Sequence, residues 1–108
     1  MDQEKTGNDA SPHRVNNTVG PILRRGELAR AVAEAAVLDN PDKDIRVDDK
    51  VAYVRVESES EMVIRRSTIE EMLGRPFRMR DIEVDLSSFA GRIEISSEHI
   101  RFYYSRHL

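Results

Sequence analysis

Apolar residues in the first half of the chain recur at the spacing of an amphipathic helix. The residues with this spacing are Leu28, Ala31, Val32, Ala35 and Ala36. Because alanine has the highest helix propensity, we predict a helix from Glu27 to about Leu38. Asn40-Pro41 should end it, since proline cannot continue a helix.

A second, shorter helix is predicted shortly after residue 66. Ser67 and Glu70 have the spacing of a capping box, in which the serine caps the helix and the glutamate reaches back to the cap. Gly74 can adopt the left-handed conformation that ends many helices. The helix should therefore begin at Ser67 and end at Gly74.

Alternation of apolar and polar residues predicts the strands. The predicted strands cover residues 19–23, 44–47, 51–57, 62–65, 82–86, 93–95 and 100–104. Pro21 lacks the N–H that a sheet ladder needs, so the first strand should lie at a sheet edge or contain a bulge. Ser96 to His99 should form the hairpin turn between the last two strands.

Two parts of the chain resemble each other. Ile22 to Leu28 aligns with Val63 to Ile69, each running from a strand through two basic residues into a helix. Asp44 to Val47 likewise echoes Asp81 to Val84. We infer an α+β fold of two βαββ-like units in a pseudo-symmetric arrangement, with a mostly antiparallel sheet and the helices packed on one side.

The chain divides into a tail and one domain. Residues 1–16 contain so few apolar side chains that burial cannot offset the entropy of ordering them. We therefore predict a flexible N-terminal tail over 1–16 and a single domain over 17–108.

Composition excludes several classes of function. The 108 residues contain no cysteine, so there is no disulfide, thiolate nucleophile or cysteine metal site. The three histidines, His13, His99 and His107, lack metal-ligand spacing, and no phosphate-binding glycine motif or nucleophile elbow is present. Without an apolar run long enough to span a membrane or a secretory h-region, we expect a non-catalytic, cytoplasmic protein that does not bind membranes.

Nucleic-acid binding remains an alternative. Local basic clusters occur at Arg24-Arg25, at Arg65-Arg66 and from Arg75 to Arg80, as in a small nucleic-acid-binding α+β module. However, 17 Lys and Arg against 20 Asp and Glu give a formal charge of −3. The strands also lack the aromatic pattern of RNA-binding domains. We therefore favour a protein-interaction module.

Six short stretches, in order, resemble the small regulatory or effector component of bacterial multicomponent diiron monooxygenases. They are Asn17 to Ile22, Asp39 to Pro41, Ala52 to Arg55, Leu73 to Phe77, Ser88 to Gly91 and Ile100 to Tyr103. The likeness is strongest to the toluene and phenol monooxygenase group, and the regulatory protein of methane monooxygenase is a more distant relative. No stretch is a catalytic signature.

The resemblance implies a cofactor-free protein with no small-molecule substrate of its own. It would bind a separate hydroxylase that carries the diiron centre of a toluene-type monooxygenase. There it would remodel the active site, raising turnover and the coupling of NADH and O2 to hydroxylation. A Rieske-type ferredoxin that delivers electrons would compete for an overlapping surface.

Small residues and one aromatic side chain are the candidates for the partner-binding surface, because small residues let a partner come close and a ring can serve as an anchor. The predicted residues are Asn17, Val19, Gly20, Pro21, Arg75, Phe77, Ser88, Phe89 and Gly91. Residues 88–91 are expected in a loop, with Phe89 either an anchor or a core residue. A bulky substitution at Gly20 should weaken hydroxylase activation and leave the fold intact.

Overall fold

The computed structural model describes residues 17–105. The predicted tail over 1–16 lies outside these residues, as do His13 and His107. The strands are β1 (Thr18–Arg24), β2 (Arg46–Asp49), β3 (Tyr53–Glu59), β4 (Glu61–Arg65), β5 (Leu86–Ala90), β6 (Arg92–Ile95) and β7 (His99–Tyr103). The helices are α1 (Glu27–Asp39) and α2 (Arg66–Leu73), and a 3₁₀ helix spans Met79–Val84.

Every described pair of strands is antiparallel, and the strands form two sheets. The first has the order β2-β3-β1-β5 and the second the order β4-β7-β6. In the first half, β1 is followed by α1, β2 and β3, and β3 lies between the other two strands. In the second half, β4, α2, β6 and β7 repeat this arrangement, which confirms the two βαββ-like units.

The second half contains an insertion that the first half lacks. Between α2 and β6 the chain forms the 3₁₀ helix and then β5, which crosses to the first sheet and pairs with β1. The predicted echo between Asp44–Val47 and Asp81–Val84 is therefore wrong. Residues 81–84 belong to the 3₁₀ helix, and β6 takes the position in the second unit that β2 takes in the first.

Alanine lets α1 lie close to the rest of the protein. Its buried residues are Ala29, Ala31, Val32, Ala33, Ala35 and Ala36, and the helix packs against α2, β3 and β4. These short side chains keep the backbone of α1 near its neighbours. The larger core side chains come from both sheets, α2 and the 3₁₀ helix, among them Leu23, Met62, Ile64, Ile69, Ile82, Ile100 and Phe102.

The first strand does not lie at a sheet edge. β1 pairs with β3 on one side and with β5 on the other. The predicted alternative, a bulge, is present: the register with β5 shifts between Ile22 and Leu23. Such an irregularity lets a sheet accommodate the proline that cannot donate to the ladder, Pro21.

The predicted strand over 82–86 is wrong for most of its length. Met79 and Ile82 are both buried, three residues apart, which is the repeat of a 3₁₀ helix. Val84, which alternation placed on the same face as Ile82, is 74% exposed. The strand begins only at Leu86, so residues 88–90 lie in β5 and not in the predicted loop.

The predicted capping box does not form. α2 begins at Arg66, one residue before the expected cap, so Ser67 lies inside the helix. The residue at the cap position is Arg65, whose own side chain makes no capping hydrogen bond. The Asp39 carboxylate, at the end of α1, accepts hydrogen bonds from the Arg65 N–H at 2.8 Å and from the Thr68 hydroxyl at 2.8 Å. The predicted end at Gly74 is confirmed, with a left-handed φ of 78°.

Asn40 joins the two halves of the molecule. Its buried side-chain amide donates to the Ala36 and Val63 carbonyl oxygens, each at 2.8 Å. Its Oδ1 accepts from the Val63 N–H at 3.0 Å. Among the described strands, β4 pairs with β7 alone. Asn40 therefore binds the backbone of Val63 at the open edge of β4, where a further strand would otherwise pair, and connects it to the end of α1.

We expect Asn40→Ala to lower the free energy of unfolding by about 2–4 kcal/mol, because it leaves both backbone groups of Val63 without these partners. Chemical denaturation of the full chain measures the change. Asp42→Ala, an exposed substitution in the following turn, should cost less than about 0.5 kcal/mol. Equal effects of the two variants would contradict the role assigned to Asn40.

Candidate functional site

The structure places seven of the nine predicted partner-binding residues on or beside the paired strands β1 and β5. Gly20 lies opposite Ala90, and Pro21 lies opposite Phe89. β5 is an edge strand, and its residues Ser87, Ser88 and Phe89 are exposed. We call residues 86–91 the β5 surface. It offers a partner an exposed ring and an unpaired strand edge, which can itself pair with another chain.

Phe89 packs against the core and is also partly exposed. Its ring centroid lies 6.1 Å from that of Phe102, a fully buried core residue, with the rings tilted by 49°. At the same time 38% of Phe89 remains exposed. The core therefore holds one part of the ring in place while another part stays available for contact.

Val19, Gly20 and Pro21 are buried within the protein. A Cβ atom built on Gly20 would lie 1.9 Å from the Val56 carbonyl oxygen, and its φ of +137° is one that other residues rarely adopt. The small residue thus permits a close approach inside the chain. Val19, Gly20 and Pro21 lie in β1, the strand that pairs with β5, and their burial keeps them from direct contact with a partner.

Asn17 and Gly91 lie at the two ends of this arrangement. The Asn17 carbonyl accepts a hydrogen bond from the Ser60 N–H at 2.9 Å, so Asn17 is held against the connection between β3 and β4. Gly91 makes the turn from β5 to β6 with a φ of +86°, and a Cβ there would lie 2.7 Å from Val19 Cγ1. Gly91 therefore keeps the β5 surface close to β1.

Arg75 and Phe77 lie elsewhere, in the segment that follows α2. The Arg75 guanidinium forms an ion pair with Glu27 at 3.0 Å, and the Phe77 N–H donates to Glu70 Oε2 at 2.8 Å. Glu70 Oε2 also accepts from Arg66 Nη1 at 2.9 Å. The hydrogen bond from Phe77 and the Arg66 guanidinium lower the pKa of Glu70, whereas partial desolvation opposes the shift.

Arg66 connects α2 to the turn between β6 and β7. Its guanidinium donates to both carboxylate oxygens of Glu98, at 2.9 and 3.1 Å, and to the Ser97 carbonyl at 3.0 Å. Hydrogen bonds to Glu98 and Glu70 raise the pKa of Arg66, so it stays charged. The segment containing Phe77 and the β6–β7 turn are thereby fixed relative to α2.

Between this segment and the β6–β7 turn lies an open groove of about 510 Å³. We call it the Phe77 groove; its lining residues are Arg66, Phe77, Arg78, Met79, Arg80, Ile95, Ser96, Ser97 and Glu98. Of these, the sequence had indicated only Phe77 as a binding residue. The basic cluster from Arg75 to Arg80 could have indicated Arg78 and Arg80 as binding residues. In the sequence analysis this cluster supported only the nucleic-acid alternative.

The arginines of the predicted basic clusters are partly neutralised. Arg25 pairs with Asp49 at 3.3 Å, and Arg66 and Arg75 have the carboxylate partners described above. Such pairing reduces the positive potential that nucleic-acid binding depends on. These pairs weigh against the nucleic-acid alternative.

Residues 17–105 lack the features of a metal site and of a membrane-spanning helix. No group of three or more histidine, aspartate or glutamate side chains in this part of the chain is placed to hold a metal ion. His99 instead lies 3.2 Å from the Ser96 hydroxyl through Nδ1. Neither described α-helix is long and apolar enough to cross a membrane.

Comparison with known proteins gives consistent matches. The profile of the MmoB/DmpM family matches residues 17–103. The chain is 42% identical over 88 residues to the effector subunit of the alkene monooxygenase system of Xanthobacter autotrophicus, covering 82% of this chain and 87% of that protein. It is 36% identical over 66 residues to DmpM, the stimulatory component of phenol 2-monooxygenase from a Pseudomonas species, covering 61% of this chain and 71% of that protein.

Solved structures agree with these matches. A structure of a complex between phenol hydroxylase and its regulatory protein contains a chain that superposes with a TM-score of 0.71 at 28% identity, covering 82% of this chain and 99% of that one. Regulatory protein B of soluble methane monooxygenase has the same fold, with a TM-score of 0.63 at 22% identity, covering 88% of this chain and 70% of that one. The family resemblance drawn from the sequence is confirmed.

The prediction that a bulky residue at Gly20 leaves the fold intact is wrong, because the structure has no space for a side chain there. We expect even Gly20→Ala to lower the free energy of unfolding by at least about 3 kcal/mol, because the new methyl group collides with the Val56 carbonyl and the φ is unfavourable. Gly26→Ala is the matched control: its φ of +157° is also unfavourable, but nothing lies within 4 Å of a Cβ there. It should cost about 1–2 kcal/mol. Equal losses in denaturation would refute the close contact.

A second prediction concerns acid. Because the pKa of Glu70 is lowered in the folded protein, its interactions stabilise the fold fully above the ordinary glutamate pKa, and this contribution is lost as the pH falls through the lowered value. The difference in unfolding free energy between wild type and Glu70→Gln should be constant near neutral pH and shrink in acid. Glu71→Gln, at an exposed position of the same helix, should track wild type. A gap that stays constant into acid would contradict the assignment.

Proposed function

Because the chain belongs to the MmoB/DmpM family, we propose that it is the effector of a diiron hydroxylase, a non-catalytic subunit that binds the hydroxylase and raises the rate and coupling of hydroxylation. The observation that carries this proposal is the family match over residues 17–103. Relatives named effector subunit and stimulatory component support it. So does the matching chain found in complex with phenol hydroxylase.

Binding alone is enough for such a role. An effector that binds one conformation of the hydroxylase more tightly than another shifts the equilibrium by that difference in affinity. A tenfold preference corresponds to about 1.4 kcal/mol, which a few contacts can supply. This protein therefore needs neither a cofactor nor catalytic groups; the diiron centre belongs to the hydroxylase.

We propose the β5 surface as the principal contact with the hydroxylase. Phe89 is an aromatic side chain held by the core and partly exposed, as interface anchors often are. Ser88 exposes a small side chain beside it, and the free edge of β5 offers backbone hydrogen bonds. Val19, Gly20, Pro21 and Gly91 hold this surface in shape, and Asn17 lies at its margin on β1.

The substrate and the remaining partners belong to the same proposal. We propose a toluene-type aromatic substrate, and the 42% identity to an alkene monooxygenase effector favours an alkene as the second candidate. A Rieske-type ferredoxin would compete for an overlapping part of the hydroxylase, so excess effector would inhibit. The system would work in the cytoplasm, where NADH is available.

The decisive test is a titration of the reconstituted cognate system, namely hydroxylase, ferredoxin and reductase, with this protein. Product per NADH consumed is measured with toluene and, separately, with an alkene. We expect the rate and the coupling to rise and saturate, with inhibition at large excess. A flat titration with both substrates would refute the effector role.

In the same titration, Phe89→Ala should require about tenfold more protein for half-maximal stimulation, because it removes a ring that a partner would otherwise bury. Val51→Ala is the matched control. Val51 is 91% exposed and lies in the turn between β2 and β3, at the opposite edge of the sheet from β5. It should behave as wild type.

A second variant distinguishes loss of the contact surface from loss of folding. Ser88→Arg adds bulk at an exposed position without removing the contact between Phe89 and Phe102. It should also weaken stimulation, with an unchanged thermal unfolding midpoint. If wild type saturates and both variants match it, the β5 surface is not the contact, although the effector role stands.

A further inference from the structure

We propose that the Phe77 groove binds an acidic segment of the hydroxylase, with Arg78 and Arg80 as the residues that contact its carboxylates. The inference rests on the proposed function, because it takes the hydroxylase as the partner. It adds a second contact region to the β5 surface and states the chemistry of the segment that fills it.

The charges lining the groove are unbalanced. Three arginines and one glutamate line it, in a chain whose formal charge is −3. The contacts of Arg66 and Glu98 are with each other and with neighbouring groups of the same turn and helix. Two arginines therefore account for the excess positive charge.

Arg78 and Arg80 are exposed. Within residues 17–105 their side chains form no ion pair or hydrogen bond, in contrast to Arg66 and Arg75. A guanidinium presents several N–H donors in a planar fork that matches a carboxylate. Two such groups, one residue apart on either side of Met79, suit a segment that carries two carboxylates.

The floor of the groove suits a polypeptide. Met79 is almost completely buried, while Phe77 and Ile95 are half-buried, so apolar surface lies between the two arginines and the β6–β7 turn. Ser96 and Ser97 add polar groups at the opposite wall. An apolar centre with a polar and charged rim is the usual anatomy of a protein interface. Nucleic acid would instead require a longer track of free cations.

The walls are fixed before any partner arrives. The Phe77 N–H is held by Glu70, and Glu70 and Glu98 are held by Arg66. Binding therefore loses little entropy in ordering this region, which favours affinity.

The groove is also continuous with the proposed contact surface. Met79 begins the 3₁₀ helix, and only Asp85 separates that helix from β5. Asp85 is itself anchored, because its carbonyl accepts from the Arg24 N–H at 2.7 Å. A hydroxylase surface that covers β5 can extend along the short helix into the groove.

The test measures the Kd of the full-length protein for the isolated cognate hydroxylase over a range of salt concentrations. Because ferredoxin and reductase are left out, the Kd reports only the binding between this protein and the hydroxylase. Arg78→Gln/Arg80→Gln should bind about tenfold more weakly at low salt. Its Kd should also depend less on salt, so that it approaches the wild-type value at high salt, because lost charge pairs matter most where screening is weakest.

The matched control is Arg30→Gln/Lys50→Gln, which removes the same charge from exposed positions on α1 and in the β2–β3 turn, outside the groove and away from β5. It should change Kd by less than about twofold, and both double variants should unfold like wild type. Equal weakening by the two double variants would assign the effect to overall charge and overturn the proposal.

The proposal is also overturned if the groove variant binds with the wild-type Kd and salt dependence while wild type still stimulates product formation. That result would leave the effector role untouched. Failure of the effector role is a different result, in which wild type itself neither binds nor stimulates the hydroxylase.

Discussion

The hydrogen bonds between the Asn40 side chain and Val63 are the constraint on which the rest of the structure depends. An isolated βαββ unit leaves one edge of its first strand open, and an open edge invites pairing with another chain. Here the residue that follows α1 of the first unit closes that edge in the second, because one amide group satisfies both the N–H and the C=O of Val63. The neighbouring Asp39 carboxylate then holds the start of α2. Two residues thus fix the second unit to the first, and α2 in turn positions Arg66 and Glu70, which fix the Phe77 segment.

The pseudo-symmetry of the two units makes visible the one segment that is not repeated between them. The two βαββ-like units build the core, and each half repeats the order of strands in the other. The insertion in the second half, from the end of α2 to β6, has no counterpart in the first. It carries the Phe77 segment, the 3₁₀ helix and β5, so both proposed contact regions lie on or beside it. The repeated part therefore provides a rigid frame, and the unrepeated part provides the surface by which such a protein can be recognised.

The spacing of apolar residues predicted those elements of the fold that are determined by the local sequence. The helix α1 follows from the spacing of Leu28, Val32 and Ala36, and the repeated order of strand, basic pair and helix predicted the two units. The positions of the nine candidate residues on two separate surfaces could not be predicted, because that depends on which strands pair. Alternation at Ile82 and Val84 predicted a strand, but Met79 and Ile82 pack as successive turns of a 3₁₀ helix, and tertiary burial decides between the two. Gly20 was identified as a place of close approach, although the approaching backbone is that of Val56 and not that of a partner.

Rigidity links this architecture to the role of an effector. A protein without catalytic groups can change a partner's activity only through the difference between its affinities for the partner's conformations. Ordering of the effector on binding costs free energy and so weakens its affinity for the partner. In this molecule Phe89 rests on Phe102, Gly20 and Gly91 hold β1 close to its neighbours, and Glu70 holds the Phe77 segment. The proposed contact regions are thus ordered in the free protein, and under the proposed function the conformational change would take place in the hydroxylase.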